Sequence, residues 1–355
     1  MSRLLIASLL GLLTLLSGCA NFGYYWQSAH GQFDIWGRAR DIARIIDDPA
    51  TPEALRKKLA RVSRMRDFAS RDLGLPDNAS YRRYADIERK YVVWNVFAAS
   101  EFSTKPVRSC FLIVGCVGYR GFFSKMDADE FAAKLGAEGY DVFVGGVPAY
   151  STLGWFADPV LNTFIQYPDP GIARLIFHEL AHQLVYVRDD TEFNESFAVA
   201  VAREGVRRWL ERQESESDRL VYERTRFYRE GFVQLVQRYR ERLDALYNSG
   251  LAPQAMRVRK GHLFDEMLKD YGRLKATWGG YTGYDRWFAQ RPNNALLASV
   301  VIYTGLVPAF QALLKREGGN LPRFYAAVKE LAQRDKEDRD RRLRNMLPQA
   351  APAAR

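Results

Sequence analysis

The chain has 355 residues, of which 47% are hydrophobic, 13% aromatic and 26% charged. These values allow two average domains, or one domain with large additions, and exclude a disordered tail, a collagen-like chain and a disulfide-dense mini-protein. A single long apolar run excludes a polytopic membrane protein, and the net charge of +10 is spread along the chain, which reads as a solvated basic surface with no nucleic acid expected.

The first 18 residues read as a signal peptide. Arg3 precedes an apolar run over 4–16 that is too short to span a bilayer. Leu16-Ser17-Gly18-Cys19 resembles the bacterial lipobox. That resemblance implies that Cys19 is lipidated and becomes the first mature residue. Ala20 behind it implies an outer-membrane lipoprotein facing the periplasm, held by acyl chains at Cys19 without a transmembrane helix. In an exported chain the pair Cys110 and Cys116 is expected to form a disulfide, with two buried thiols as the alternative.

The elements predict an α+β, predominantly helical fold. Residues 19–90 read as an N-terminal helical segment, with helices over 24–46 and over 52–73, the second capped by Thr51 with Pro52 in its first turn. Residues 91–210 read as a small mixed unit. It has strands over 91–98, 107–114 and 140–147, and a helix over 127–135 capped by Asp127. Residues 211–345 read as a helical subdomain. Val221, Tyr228, Phe232, Leu235, Tyr239 and Leu246 recur mostly at helical steps, which makes 218–247 a long amphipathic helix and 253–275 its return arm. The hairpin, within 211–275, is also a candidate surface for a protein partner. Helices are expected over 293–314 and 321–331, a charged tail beyond Arg334, and a frayed end over 346–355.

Chemistry concentrates at Phe177-His178-Glu179-Leu180-Ala181-His182, an H-E-x-x-H motif holding two of the chain's 4 histidines. Histidines four apart on a helix lie one turn apart on one face, so both imidazoles reach one metal. At about 100° per residue, His178, His182, Glu179 and Tyr186 share an arc, while Phe177, Leu180, Leu184 and Val187 face the other way. A third ligand is expected at Glu195, which heads an inward stripe with Val199, Ala202 and Val206 on a helix capped by Asn194. An unpaired acid there is costly, and coordinating a cation removes the cost. Asp189 and Asp190 are the alternatives, and Glu204 points to solvent. The set His178, His182 and Glu195 suits Zn2+ with one position left for water, and Glu179 is placed to act as general base. Tyr303, Tyr186 and His262 are candidates for polarising a substrate carbonyl, with Tyr303 preferred.

H-E-x-x-H with a downstream Asn194-Glu195-Ser196-Phe197-Ala198 resembles the glutamate zincins, in which two histidines and a glutamate sit on consecutive helices. The resemblance implies a zincin-like core, although only 12 residues lie between His182 and Glu195. Further blocks are similar to a family of bacterial lipoprotein aminopeptidases. They are Tyr91-Val-Val-Trp-Asn-Val-Phe97, Gly115-Cys-Val-Gly-Tyr-Arg-Gly-Phe-Phe123, Ala149-Tyr-Ser-Thr-Leu-Gly-Trp-Phe-Ala-Asp-Pro159 and Asn293-Asn294-Ala295 onward. This resemblance implies a zinc-dependent aminopeptidase with a peptide substrate. The substrate amine then needs a carboxylate, for which Asp158, Asp189 and Glu192 are open. An edge strand over 142–151 is expected to pair with the substrate backbone, with Ala149, Tyr150 and Ser151 lining the cleft. The competing readings are a deformylase- or amidase-like zinc hydrolase, using Cys110 or Cys116 as ligand, and a metal-binding envelope interaction protein.

Overall fold

The computed structural model describes residues 23–111, 115–213, 215–301, 303 and 305–347. The expected signal peptide with Cys19, and the chain end from 348, lie outside the described residues. The fold is α+β and predominantly helical.

The helix expected over 24–46 is two helices. Helix α1 covers 23–38, strand β1 is Arg40–Asp41, and α2 is Ile42–Asp47. Asp41 makes the break: its backbone is extended and its carboxylate accepts from the Ala43 and Arg44 amides, capping α2. Helix α3, Glu53–Arg71, starts behind Pro52, which takes the cap position with extended backbone and no side-chain cap, so Thr51 is not the cap. The face carrying Leu59, Val62, Met65 and Phe68 is buried.

Strands β2 (Arg83–Ala85), β3 (Val93–Ala99), β4 (Ser109–Phe111), β5 (Gly115–Val117) and β6 (Arg120–Phe122) follow. Helix α4, Lys125–Ala137, is capped by Ser124, whose hydroxyl accepts from the Asp127 amide, so Asp127 lies inside the first turn. Then come β7 (Asp141–Val147), β8 (Val160–Leu161) and α5 (Asn162–Ile165). Strand β3 is central in an antiparallel sheet of order β6-β3-β7, with Val93 opposite Val147, which leaves β7 as an edge. Strands β4 and β5 form a hairpin in which Cys110 faces Cys116, and a disulfide joins them.

The remaining chain is helical: α6 (Asp169–Leu184), α7 (Thr191–Gln213), α8 (Glu216–Tyr247), α9 (Pro253–Thr277), α10 (Asp285–Phe288), α11 (Asn294–Val301), α12 (Val307–Arg316), α13 (Leu321–Ala332) and α14 (Lys336–Asn345). The helix expected over 293–314 is interrupted between α11 and α12. A Cβ on Gly305 would run into the Glu192 carboxylate, and Pro308 restarts the helix in its first turn. The charged segment beyond Arg334 is also ordered as α14, capped by Asp335, with Leu343 buried.

One apolar core runs from Ile35 to Leu343 and encloses α6 and α7. A second, with Phe232, Tyr239, Met267 and Tyr271, closes the α8–α9 hairpin against Leu297 and Val301 of α11. Helix α14 is fixed to the first core by Arg339, which is 3% exposed and donates to Asp190 at 2.6 Å. Without Arg339, the buried Asp190 keeps only the exposed Lys336 at 3.2 Å, and breaking such a buried pair costs about 3–5 kcal/mol. Arg339→Ala is therefore expected to lower the denaturant midpoint strongly, whereas Arg341→Ala, on the exposed side of α14, leaves it within error.

Candidate metal centre

Helix α6 is buried along most of its length, including His178, Glu179 and His182 on its polar face. The two Nε2 atoms stand 3.2 Å apart. Glu195 enters from α7, its Oε2 3.2 Å from His178 Nε2 and 3.6 Å from His182 Nε2. The ligand atoms of His178, His182 and Glu195 lie within 4.8 Å of one another, a cluster that could hold a metal ion. Glu195 Oε2 is buried without a hydrogen-bond donor, and the Nδ1 atoms of both histidines are buried without partners. An orphaned carboxylate oxygen aimed at two imidazole lone pairs fits a cation better than any uncharged filling.

The electrostatics reflect this crowding. Burial pushes the His178 imidazole down to about 4. Burial acts to raise the Glu195 carboxyl, but the two imidazoles overcome it and bring it down to about 2. Burial lifts Glu179 to about 7, helped by the charges of Glu195 and Asp158 and opposed by His182 and Arg174. A buried carboxyl of that kind is suited to taking and returning a proton near neutral pH.

The short connection between α6 and α7 sets the geometry. Helix α6 stops at Leu184, so Tyr186 lies beyond it and does not extend its polar face. Helix α7 begins at Thr191, before Asn194. Asp190 heads it, its carboxylate accepting from the Phe193 amide at 3.3 Å. Asn194 instead clasps the connection, accepting from the Val187 amide and donating to the Val187 carbonyl, both at 2.7 Å. Asp189 has a positive φ of 67° and accepts from the Cys116 amide at 2.6 Å, which ties the connection to the disulfide hairpin. Asp189 and Asp190 are thus engaged away from the cluster. Glu204 is not free in solvent: it pairs with Arg207 and Arg208 at 2.7 and 2.6 Å.

Tyr303 comes from the interruption between α11 and α12 rather than from a helix. Ser196, one residue after Glu195, fixes that interruption by accepting from the Leu306 amide at 3.1 Å. Burial and the charges of Glu195 and Glu179 hold the Tyr303 hydroxyl well above its ordinary range. Tyr186 is raised to about 12 by burial and by Glu195. His262 lies on the exposed side of α9 in the hairpin. Among the acids, Asp158 is buried, bonded to the Thr152 amide at 2.9 Å, and lifted to about 6 by burial. Glu192 abuts Gly305. Ala149 is buried, the Tyr150 hydroxyl donates to Gln32, and the Ser151 hydroxyl accepts from the Leu153 amide at 3.0 Å.

Two residues that the sequence did not single out also border the site. Tyr119, between β5 and β6, feels the charges of Glu195 and Glu179, and burial raises it. Tyr81 has a positive φ of 62° and a buried hydroxyl without a partner, and burial, Glu179 and Asp158 all raise it. Both sit outside helices, where periodicity carries no signal.

The raised Glu179 carboxyl has a consequence for stability in metal-free protein. Its folded state favours the proton, so its stabilising contribution is complete below 4.5 and is lost as pH rises through about 7. Metal-free Glu179→Gln is expected to be more stable than wild type at pH 8 by about 3 kcal/mol and equal to it at pH 4. Thermal unfolding across pH checks this, and a constant difference would contradict it.

The family model described as "Putative aminopeptidase" matches residues 23–343 of the chain. No curated protein and no solved structure matches it. The match spans α1 through α14 and includes every residue of the cluster, so the chain belongs to this aminopeptidase family.

Proposed function

We propose that the protein is a zinc-dependent aminopeptidase with a zincin-like core, anchored to the envelope through Cys19. The observation that carries the reading is the convergence of His178, His182 and Glu195 beside a buried Glu179 in a chain of the aminopeptidase family. His178, His182 and Glu195 would hold the metal. Bound zinc supplies a Lewis acid that polarises the scissile carbonyl and acidifies water. Glu179 takes the proton from the attacking water and returns it to the leaving amine. Tyr303 stays protonated at neutral pH and donates its hydroxyl to the carbonyl oxygen as charge develops. Strand β7 offers an edge for the extended substrate backbone, with 149–151 at the end of the cleft. Asp158, the acid whose charge bears on Glu179 besides Glu195, is the group for the substrate's free amine. The Cys110–Cys116 disulfide removes both thiolates from the deformylase-like alternative.

Purified protein starting at Ala20 is expected to bind zinc stoichiometrically and to hydrolyse aminoacyl amides but not N-blocked peptides. Glu179→Gln keeps the metal and lowers kcat about a hundred- to ten-thousandfold. Zinc without hydrolysis of any peptide would contradict the reading.

The anchor is supported by the apolar exposure of α1, which follows Cys19: Trp26 and Phe33 are each 65% exposed. Aromatic side chains of this kind suit a membrane interface. Metabolic palmitate labelling is expected in the wild type and lost in Cys19→Ala, while equal labelling of both would rule the anchor out.

A further inference from the structure

The floor of the metal site continues along α6 and α7. Arg174 precedes His178 by four residues on α6, so it projects from the same face one turn away, about 6 Å along the axis. On α7, Val199 and Arg203 continue the Glu195 face in the same way. The two helices run antiparallel across a short connection, so these extensions meet. There they border a cavity of about 250 Å³. Gly171 and Arg174 of α6, Val199 and Arg203 of α7, and Arg226 and Arg229 of α8 line it.

This cavity is short of negative charge. Glu230 stands 4.0 Å from Arg203 and 3.7 Å from Arg226. Among the described residues, Arg174 and Arg229 make no hydrogen bond and no ion pair. Arg174 is half-buried, and desolvation together with the Arg229 charge lowers it to about 10. Two guanidinium groups lining one cavity, neither in an ion pair, leave a place where an anion can join them. Their planar forks match a carboxylate. The charges flank the metal site unequally along α6. Toward its end, Gln183 lies against the loop that leads to Asp158, with a Cβ on Gly154 3.5 Å from Gln183 Oε1. Toward its start lie the arginines. Glu179, between them, feels Asp158 and Arg174 with opposite sign.

We propose that the Arg174–Arg229 pocket receives a carboxylate of the substrate, so that the enzyme acts on short peptides bearing an anionic group close to the cleaved bond. The proposal rests on the metallopeptidase reading. Extended substrate advances about 3.3 Å per residue, so a group one to three residues beyond the scissile carbonyl comes within reach of an arginine side chain based one turn from His178. The free C-terminus of a di- to tetrapeptide and an acidic side chain present the same chemistry.

The test compares Ala-Ala-Ala, its C-terminal amide and Ala-Glu-amide on the zinc-loaded enzyme. Wild type is expected to show a KM about ten- to hundredfold lower for a substrate carrying the recognised carboxylate than for Ala-Ala-Ala-amide. A preference for Ala-Ala-Ala assigns the pocket to the C-terminus, and one for Ala-Glu-amide assigns it to a side chain. In Arg174→Gln and Arg229→Gln that KM preference collapses, and Arg229→Lys restores part of it. Calorimetric binding of the same peptides to zinc-loaded Glu179→Gln reads the pocket without hydrolysis. If no peptide is cleaved, the peptidase reading fails while the calorimetry still decides the pocket. Equal KM and equal binding for the three peptides would overturn the proposal, as would arginine variants that weaken all three alike.

Discussion

The arrangement depends on placing one carboxylate and two imidazoles together out of water. Glu195, His178 and His182 are each 7–8% exposed; Glu195 Oε2 has no hydrogen-bond donor, and the two Nε2 atoms face each other at 3.2 Å. Desolvation alone would neutralise such a carboxyl, yet the imidazoles hold it in its charged form. A divalent cation resolves the set, because it accepts all the lone pairs at once. At Glu179, one residue from His178, burial outweighs the opposing charges of His182 and Arg174 and leaves its proton affinity raised. Two glutamates near one point are driven in opposite directions by what surrounds them, Glu195 toward the charged form and Glu179 toward the proton.

The rest of the fold supports that placement. Helices α6 and α7 are buried because α3 and α12–α14 pack around them in one core. The connection between them is secured by Asn194 on the Val187 backbone, by Asp190 on α14 and by Asp189 on the disulfide hairpin. Each tie acts within six residues of Glu195, so the Glu195 carboxylate is located from several directions. Ser196 carries the same register to the segment that presents Tyr303. Beyond the His178–His182–Glu195 cluster, the charges differ along α6, with Asp158 toward one end and arginines toward the other. A substrate with a free amine and a nearby carboxylate has the complementary polarity.

The convergence of His178, His182 and Glu195 was legible because it depends on helical spacing alone: a step of four from His178 to His182, and a stripe from Glu195 through Val199 to Val206. The central strands and the long hairpin were legible from apolar periodicity. Events that depend on one side chain meeting a distant one were not. Asp41 splits an apparently continuous helix by capping its second half, and Gly305 interrupts another because Glu192 occupies the space of a side chain. Helix α14 read only as a charged tail because its anchor, Asp190, is 149 residues away. Tyr81 and Tyr119 reach the site from turns, and Arg174 shares a cavity with Arg229 only through the packing of α8.

The central claim is that His178, His182 and Glu195 bind one catalytic metal. Diffraction from crystals of protein purified without added metal, recorded above and below the zinc absorption edge, tests it most directly. The account predicts one anomalous peak that vanishes below the edge, bonded to both Nε2 atoms and to the Glu195 carboxylate. Full-occupancy protein with no peak there, or with zinc bound elsewhere, would contradict it.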